Sequence, residues 1–262
     1  MKFVIMIKNQ KKHFDDKIMS AFGLTLFAVK EHLDSSRVAF GMSLSVEVDS
    51  SLRLDRTQEL LFAAISLARK DGVRSILEFG TFAGESTLVL RALFPSAEIT
   101  TIDLPEPLLT GADSASEIER IKDIRSKNIK KAGAKLILKD SALISPRDLD
   151  VYDLVWLDGD HTYPVVVVDV VNALHCLNEN GILIMDDICR HVSITNLILR
   201  RYLSTDSWDA VKKLSKIYGL VFELFPKRLN FSQYLPGRRR EMALIKKVTA
   251  ATGSGGVDSK WL

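Results

Sequence analysis

The chain has 262 residues, of which 47% are apolar and 26% are charged. This is enough apolar material for one sizeable core, and it excludes a disordered, collagen-like or low-complexity chain. The 36 basic and 33 acidic side chains leave a formal net charge of +3, which is too small a surplus to indicate nucleic-acid binding. Cys176 and Cys189 form neither a CxxC motif nor a zinc-type cluster, so we expect two reduced thiols in a cytoplasmic protein.

The two ends of the chain differ in composition from its middle. The longest uncharged stretch, residues 18–29, is far shorter than the roughly 20 apolar residues of a membrane-spanning helix. Asp15 and Asp16 precede it and argue against a secretory leader. We interpret residues 1–53 as an N-terminal extension that could cover a substrate site, and residues 249–262, rich in glycine and small polar residues, as a flexible tail.

Residues 54–248 alternate short β-branched apolar runs with helical patterns, which is typical of βαβ units around a parallel sheet. The predicted strands are 75–79, 98–102, 135–138, 152–157, 181–185, 220–225 and 241–248. The predicted helices are 55–70, 86–93, 117–131, a helix begun by Pro164, 192–203 and 207–216, with a long loop over 104–116. The pattern predicts a Rossmann-like doubly wound α/β fold. Its seven-stranded sheet is mostly parallel and ends in an antiparallel hairpin that turns at 235–237.

A glycine-containing turn follows the first predicted strand and leads directly into a helix. Gly80 and Gly84 let the backbone turn sharply, and the helix N-terminus offers unpaired N–H groups to a ligand. Phe82 stands where a dinucleotide fingerprint has its middle glycine, so a pyrophosphate could not approach closely. Asp103, at the end of the second strand, can accept hydrogen bonds from ribose hydroxyls. The two features together indicate a nucleoside-bearing ligand without a pyrophosphate, such as S-adenosylmethionine.

The motifs in combination resemble class I S-adenosylmethionine-dependent methyltransferases, and most closely the small-molecule O-methyltransferases of the catechol and caffeoyl-coenzyme A type and their bacterial sugar- and antibiotic-modifying relatives. The resemblance covers about Arg56 to Lys247. Its motifs are Glu78-x-Gly80-x-x-x-Gly84-x-Ser86, Asp103, Asp140-Ser141-Ala142 and Leu157-Asp158-Gly159-Asp160-His161. The resemblance implies that the cofactor is held by Glu78, Gly80, Thr81, Phe82, Gly84 and Ser86 at its methionine portion, Asp103 at the ribose, Asp140 and Ser141 at the adenine edge, and Asp158.

Four acids follow the fourth and fifth predicted strands: Asp158, Asp160, Asp186 and Asp187. Carboxylates that converge at one sheet edge need a compensating cation, protons or donors, and oxygen ligands at this density suit Mg²⁺ or another divalent cation. The resemblance implies that Asp158, Asp186 and Asp187 are the metal ligands. The alternative is that Asp186 or Asp187 only caps the next helix.

His161 lies three residues after Asp158, at the position where the catechol and caffeoyl-coenzyme A enzymes carry a lysine proposed as base. An imidazole can take a proton from a hydroxyl near neutral pH, so His161 is the predicted catalytic residue. A structural role in the turn before Pro164 is the alternative, and His191 is a second candidate base.

The sequence thus predicts an O-methyltransferase, Mg²⁺-assisted, that acts on a hydroxyl of a small-molecule acceptor, with no nucleic-acid partner and no membrane span. Self-association is compatible with this prediction. Two alternatives stay open: a metal-independent methyltransferase, and a catalytically silent S-adenosylmethionine-binding regulatory protein.

Overall fold

The structure is a computed structural model, and it describes residues 16–42, 54–69, 72–106, 115–190, 205–227 and 240–247. Seven strands form one sheet: β1 (Ser75–Phe79), β2 (Glu98–Asp103), β3 (Lys135–Leu138), β4 (Tyr152–Leu157), β5 (Leu177–Ile188), β6 (Leu220–Pro226) and β7 (Glu241–Lys247). Their order is β3-β2-β1-β4-β5-β7-β6. The first five strands are parallel, and β7 runs antiparallel to both β5 and β6.

Helices cover both faces of this sheet. The described helices are α1 (Leu26–Ala39), α2 (Arg56–Ala68), α3 (Glu85–Leu93), α4 (Ala115–Ala132), α5 (Val165–His175) and α6 (Asp206–Tyr218), and residues 16–22 are also helical. Two 3-10 turns, Ser141–Leu143 and Pro146–Asp148, lie between β3 and β4.

A capping box fixes the start of α2. The Asp55 carboxylate accepts a hydrogen bond from Thr57 N at 2.7 Å, and Gln58 Oε1 accepts one from Asp55 N at 2.7 Å. Side chains that would otherwise be solvated thus satisfy backbone N–H groups that have no partner inside the helix. The helix that follows is buried almost throughout, because it lies between the sheet and α1.

The core has two halves because alternate side chains of a strand point to opposite faces of the sheet. On one face, Ile76, Leu154 and Trp156 belong to the apolar cluster that includes side chains of α1, α2 and α3. On the other face, Leu77 and Val155 pack with side chains of α5 and α6. The described part of the N-terminal segment belongs to the first cluster, which includes Ile18, Phe22, Val29 and Leu33.

The predicted fold class is confirmed, including the C-terminal hairpin and the helix after Pro164. That helix forms despite its run of valines because Val166 and Val170, four residues apart, are buried on one face. β5 is longer than predicted because Leu177 pairs with Tyr152 across an irregularity in the ladder. The predicted helix 192–203 and the turn 235–237 lie outside the described residues. No described helix is both long and apolar enough to span a membrane.

Candidate active site

The loop between β1 and α3 has left-handed backbone at Gly80 (φ 91°), Phe82 (φ 46°) and Gly84 (φ 77°). A Cβ on Gly80 would lie 2.2 Å from the Asp158 carbonyl oxygen, so this glycine is needed for the close approach of β1 and β4. Gly84 is the N-cap of α3. The predicted tight turn is therefore present, and it places the N-terminus of α3 at the carboxyl edge of the sheet.

Glu78 stabilises this loop from inside the protein. Its carboxylate is buried and accepts hydrogen bonds from the hydroxyls of Ser86 and Thr87, the latter at 2.5 Å. Burial raises the pKa of Glu78 to about 7, although the Ser86 and Thr87 hydroxyls oppose the shift. Thr81 is also buried, with its hydroxyl bonded to that of Thr101. The side chains of Glu78, Thr81 and Ser86 thus hold the loop in shape.

Asp103 lies at the end of β2 with both carboxylate oxygens engaged. Oδ2 accepts from Phe82 N at 2.7 Å and from Arg125 Nη1 at 3.0 Å, and Oδ1 accepts from Leu104 N at 2.8 Å. A carboxylate offers about four acceptor positions, so Asp103 retains capacity for a further hydrogen bond. The glycine loop and Asp103 are in direct contact, as the prediction of one ligand site for both requires.

Asp140 and Ser141 follow β3 at the same edge of the sheet. Asp140 Oδ1 accepts from Ala142 N at 2.9 Å and so caps the first 3-10 turn, whose first residue is Ser141. Both side chains are partly exposed. This local bond accounts for the conformation of Asp140 and uses one of its two carboxylate oxygens.

Three of the four predicted acids share one cluster with His161. His161 Nε2 lies 3.5 Å from Asp158 Oδ1 and 4.0 Å from Asp187 Oδ2. Asp186, which is buried, interacts electrostatically with Asp158 and Asp187. Asp160 is instead exposed, and its Oδ1 accepts from Thr162 N at 2.8 Å and from the Thr162 hydroxyl at 2.6 Å. We define the acidic cluster as Asp158, Asp186 and Asp187.

Basic and amide side chains from other elements donate to three carboxylate oxygens of the acidic cluster. Lys227 Nζ donates to Asp186 Oδ2 and, at 2.7 Å, to Asp187 Oδ1. Arg240 donates to Asp187 Oδ2, and Gln58 Nε2 donates to Asp186 Oδ2 at 2.7 Å. Arg240 is thus paired with an acid of the site.

The two consecutive aspartates respond oppositely to their surroundings. Burial raises the pKa of Asp186 well above its ordinary value, although the nearby Lys227 charge opposes this shift. Burial also favours a higher pKa for Asp187, but the charges of Lys227 and Arg240 outweigh this effect and lower the pKa. Burial alone would lower the pKa of His161, but the contact with Asp158 and the charges of the acidic cluster raise it.

Two polar atoms at the cluster have no hydrogen-bond partner among the described residues. They are Asp186 Oδ1 and His161 Nδ1, and both are buried. The second candidate base, His191, lies outside the described residues. Within the part of the chain that the structure describes, no group of three or more His, Cys, Asp or Glu side chains is arranged to hold a metal ion.

Sequence reasoning missed Lys227, Arg240, Gln58 and Arg125. For Lys227 and Arg240, the predicted hairpin could have indicated that they lie near the site. In the structure, Glu241 pairs with both Ile188 of β5 and Pro226 of β6. The end of β6 and the start of β7 therefore lie at the same edge as the ends of the parallel strands. No comparable pattern pointed to Gln58 or Arg125, which reach the site from α2 and α4.

Comparisons with known proteins identify a methyltransferase domain in this chain. Residues 77–188 match the family model of a methyltransferase domain. No curated protein matches the chain.

Several solved structures share the fold at low sequence identity. The methyltransferase PaMTH1 of Podospora anserina, solved with SAH, is 18% identical, with 85% of this chain and 88% of that chain covered and a TM-score of 0.53. An O-methyltransferase of Bacillus cereus, in complex with SAH, is 16% identical over 89% and 96% of the two chains, with a TM-score of 0.51. The O-methyltransferase TomG of Streptomyces achromogenes, involved in tomaymycin synthesis and solved with SAM, is 16% identical over 85% and 90%, with a TM-score of 0.50. Residues 77–188 are therefore a methyltransferase domain, and the chain has the fold of the S-adenosylmethionine-dependent O-methyltransferases.

Proposed function

We propose that this protein transfers a methyl group from S-adenosylmethionine to a hydroxyl of a small-molecule acceptor. One observation carries the proposal: the left-handed glycine loop, Asp103 and the pair of His161 with Asp158 all lie where the parallel strands of the sheet end. In open α/β sheets this edge is where ligands bind. The methyltransferase domain match over residues 77–188 supports the same reaction class.

In this proposal the cofactor lies along the edge from β1 to β3. The backbone of Gly80, Phe82 and Gly84 faces its methionine portion, where the N-terminus of α3 offers N–H groups. Asp103 accepts from the ribose, and Asp140 with Ser141 borders the adenine. Glu78, Thr81 and Ser86 contribute by bracing the loop, and Asp158 lies where the cofactor and the acceptor meet.

The chemical step is an in-line displacement with His161 as the base. The acceptor oxygen forms a bond to the methyl carbon while the carbon–sulfur bond breaks and its electron pair stays on sulfur, which gives S-adenosylhomocysteine. The hydroxyl proton goes to the His161 imidazole. The imidazolium that results is stabilised by Asp158 and Asp187, the same charges that raise the pKa of His161. Positioning of the two reactants supplies much of the acceleration.

The resemblance also implies Mg²⁺, and the described residues do not fit it. Two of the three expected ligands already share a lysine ammonium, and one of these also pairs with Arg240. These contacts favour the metal-independent alternative, and we derive no step through a cation.

We also propose that residues 1–53 cover the substrate site and that residues 249–262 form a flexible tail. The described part of the first segment packs on α2 and α3, which lie at the flank of the site, since Gln58 of α2 reaches Asp186.

Transfer of a tritiated methyl group from S-adenosylmethionine to a panel of catechols and other hydroxylated small molecules tests the proposal. His161→Gln should lower kcat by about 100-fold or more, the usual contribution of general-base catalysis. His175→Gln is a matched control, because His175 is exposed and lies at the end of α5, where its Nδ1 contacts the Val171 carbonyl at 2.8 Å. Full activity of the His161→Gln variant would show that His161 is not the catalytic base. Cofactor binding without transfer to any acceptor would instead favour the silent regulatory protein.

A further inference from the structure

The ammonium of Lys227 lies between the two consecutive aspartates that end β5. It donates to Asp186 Oδ2 and to Asp187 Oδ1, the latter at 2.7 Å. The Lys227 side chain is only 9% exposed and that of Asp186 only 3%. Each of these charged groups is therefore largely removed from water, and each needs the other to offset the cost of burial.

Side chains of the protein itself offset much of the negative charge of the acidic cluster. Among the described residues, the three carboxylates face two basic side chains, Lys227 and Arg240, and Gln58 adds a hydrogen bond to Asp186. Burial alone would lower the pKa of Lys227, but the charges of Asp186 and Asp187 outweigh it and raise the pKa. The two aspartates thus stabilise the charge of the Lys227 ammonium.

The hairpin places this cation at the site. Lys227 directly follows β6, and its backbone N donates to the Arg240 carbonyl at 3.0 Å just before β7 begins. β7 in turn pairs with β5, with Glu241 opposite Ile188. Both cations therefore reach the end of β5 through backbone pairing, independently of the side-chain contacts that they make there.

We propose that the Lys227 ammonium is the resident cation of the acidic cluster and takes the place between Asp186 and Asp187 that a divalent cation would need. Oxygen ligands hold Mg²⁺ at about 2.1 Å and Ca²⁺ at about 2.3–2.6 Å, so a metal and the ammonium cannot share these two oxygens. An ammonium has three N–H donors, and the aspartates take two of them. The third is available to an oxygen of the acceptor, which makes Lys227 a positioning residue. Only this last point rests on the proposed function.

Binding of Mn²⁺ alone, followed by the electron paramagnetic resonance signal of the free ion and by calorimetry, tests the proposal without turnover. The wild-type protein should leave the Mn²⁺ signal unchanged. Lys227→Ala frees the two aspartate oxygens and leaves space between them, so its affinity for Mn²⁺ should increase by about tenfold or more. The added substitution Asp186→Asn should abolish the gain. If Lys227 only stabilised the fold, its replacement would not increase the affinity for Mn²⁺.

Lys247→Met is the matched control. Lys247 is a half-buried lysine at the other end of β7, and it bonds the Leu177 carbonyl at 2.9 Å. This variant should gain no Mn²⁺ binding. Stoichiometric binding by the wild type that Asp186→Asn removes would overturn the proposal, as would a folded Lys227→Ala protein that gains none. The wild-type measurement keeps the test decisive if Lys227→Ala fails to fold. Neither result depends on whether the protein methylates an acceptor.

Discussion

Among single residues, Asp169 is a buried carboxylate of α5 that lies behind the loop after β4. A Cβ on Gly159 would lie 3.5 Å from Asp169 Oδ2, and neither carboxylate oxygen has a hydrogen-bond partner among the described residues. Burial raises the pKa of Asp169 to about 7, and the nearby Ser141 hydroxyl offsets only part of this effect. The folded protein therefore keeps a proton on Asp169 in a pH range where the unfolded chain has lost it.

This difference makes the stability of the protein depend on pH. Between the ordinary pKa of 3.8 and the folded value of about 7, the native state binds more protons than the unfolded state, so stability falls as pH rises. The Asp169→Asn side chain cannot ionise, so the variant should not lose stability in this way as pH rises. We expect the free energy of unfolding of the variant, relative to wild type, to increase by roughly 3 kcal/mol between pH 5 and pH 8. Urea titrations at both pH values measure it.

Asp123→Asn provides the control, because Asp123 is exposed and its partner among the described residues is the likewise exposed Lys127. Its stability relative to wild type should not change between the two pH values. An Asp169→Asn protein that behaves in the same way would show that Asp169 ionises normally in the folded state.

The sequence predicts single residues well where one local rule decides their position. Gly80 and Gly84 were predictable because a strand that turns directly into a helix requires left-handed backbone. Asp103 was predictable as the acid at the end of β2. Its partner Arg125 was not, because it lies 22 residues further on and on a helix whose rotation about its axis is set by packing.

Among elements, the contact of α1 with α2 depends on a buried ion pair. Arg37 Nη1 lies 2.5 Å from Glu59 Oε1, and both side chains are at most 5% exposed. Arg56 also contacts Glu59, at 2.9 Å, and pairs with Asp34 of α1. Removal of Arg37 would leave the buried Glu59 carboxylate with the partly exposed Arg56 as its remaining partner among the described residues, so its charge would be poorly compensated in the interior.

Arg37→Met should therefore lower the free energy of unfolding by about 3 kcal/mol. The double variant Arg37→Met with Glu59→Leu should be less destabilised than the sum of the two single variants, because it removes both charges together. Lys127→Met, in an exposed pair with Asp123, should change stability by less than about 0.5 kcal/mol. Simple additivity in the double variant would show that Arg37 and Glu59 act independently.

A helix or strand of this fold can be predicted from the sequence where its apolar residues lie on one face, or where it must connect two neighbouring strands. The valine-rich α5 was predictable from its place between two strands, although β propensity alone favours a strand there. The length of β5 was not predictable, since Leu177 pairs with Tyr152 only across a shift of register between β4 and β5. Strand ends of this kind are set by tertiary contacts and leave no periodic signal.

Across the whole molecule, the candidate site is formed by distant parts of the chain at one edge of the sheet. The acids were predictable from sequence because parallel strands bring their carboxyl ends together. The cations that pair with them were signalled only indirectly, through the predicted hairpin, because Lys227 lies 40 residues and Arg240 53 residues beyond Asp187. Only the antiparallel return of the hairpin brings these two side chains to the same edge.

The central claim is that this edge binds S-adenosylmethionine, and calorimetric titration with S-adenosylhomocysteine tests it most directly. We expect the wild-type protein to bind about one molecule per chain. Asp103→Asn, which keeps the shape of the side chain but removes its charge, should weaken binding by about tenfold or more, because charge-assisted hydrogen bonds to the ribose are lost. Asp123→Asn should bind as the wild type does, and thermal melting should confirm that Asp103→Asn is folded. Absence of binding to the wild-type protein, or equal affinity in a folded Asp103→Asn protein, would contradict the account.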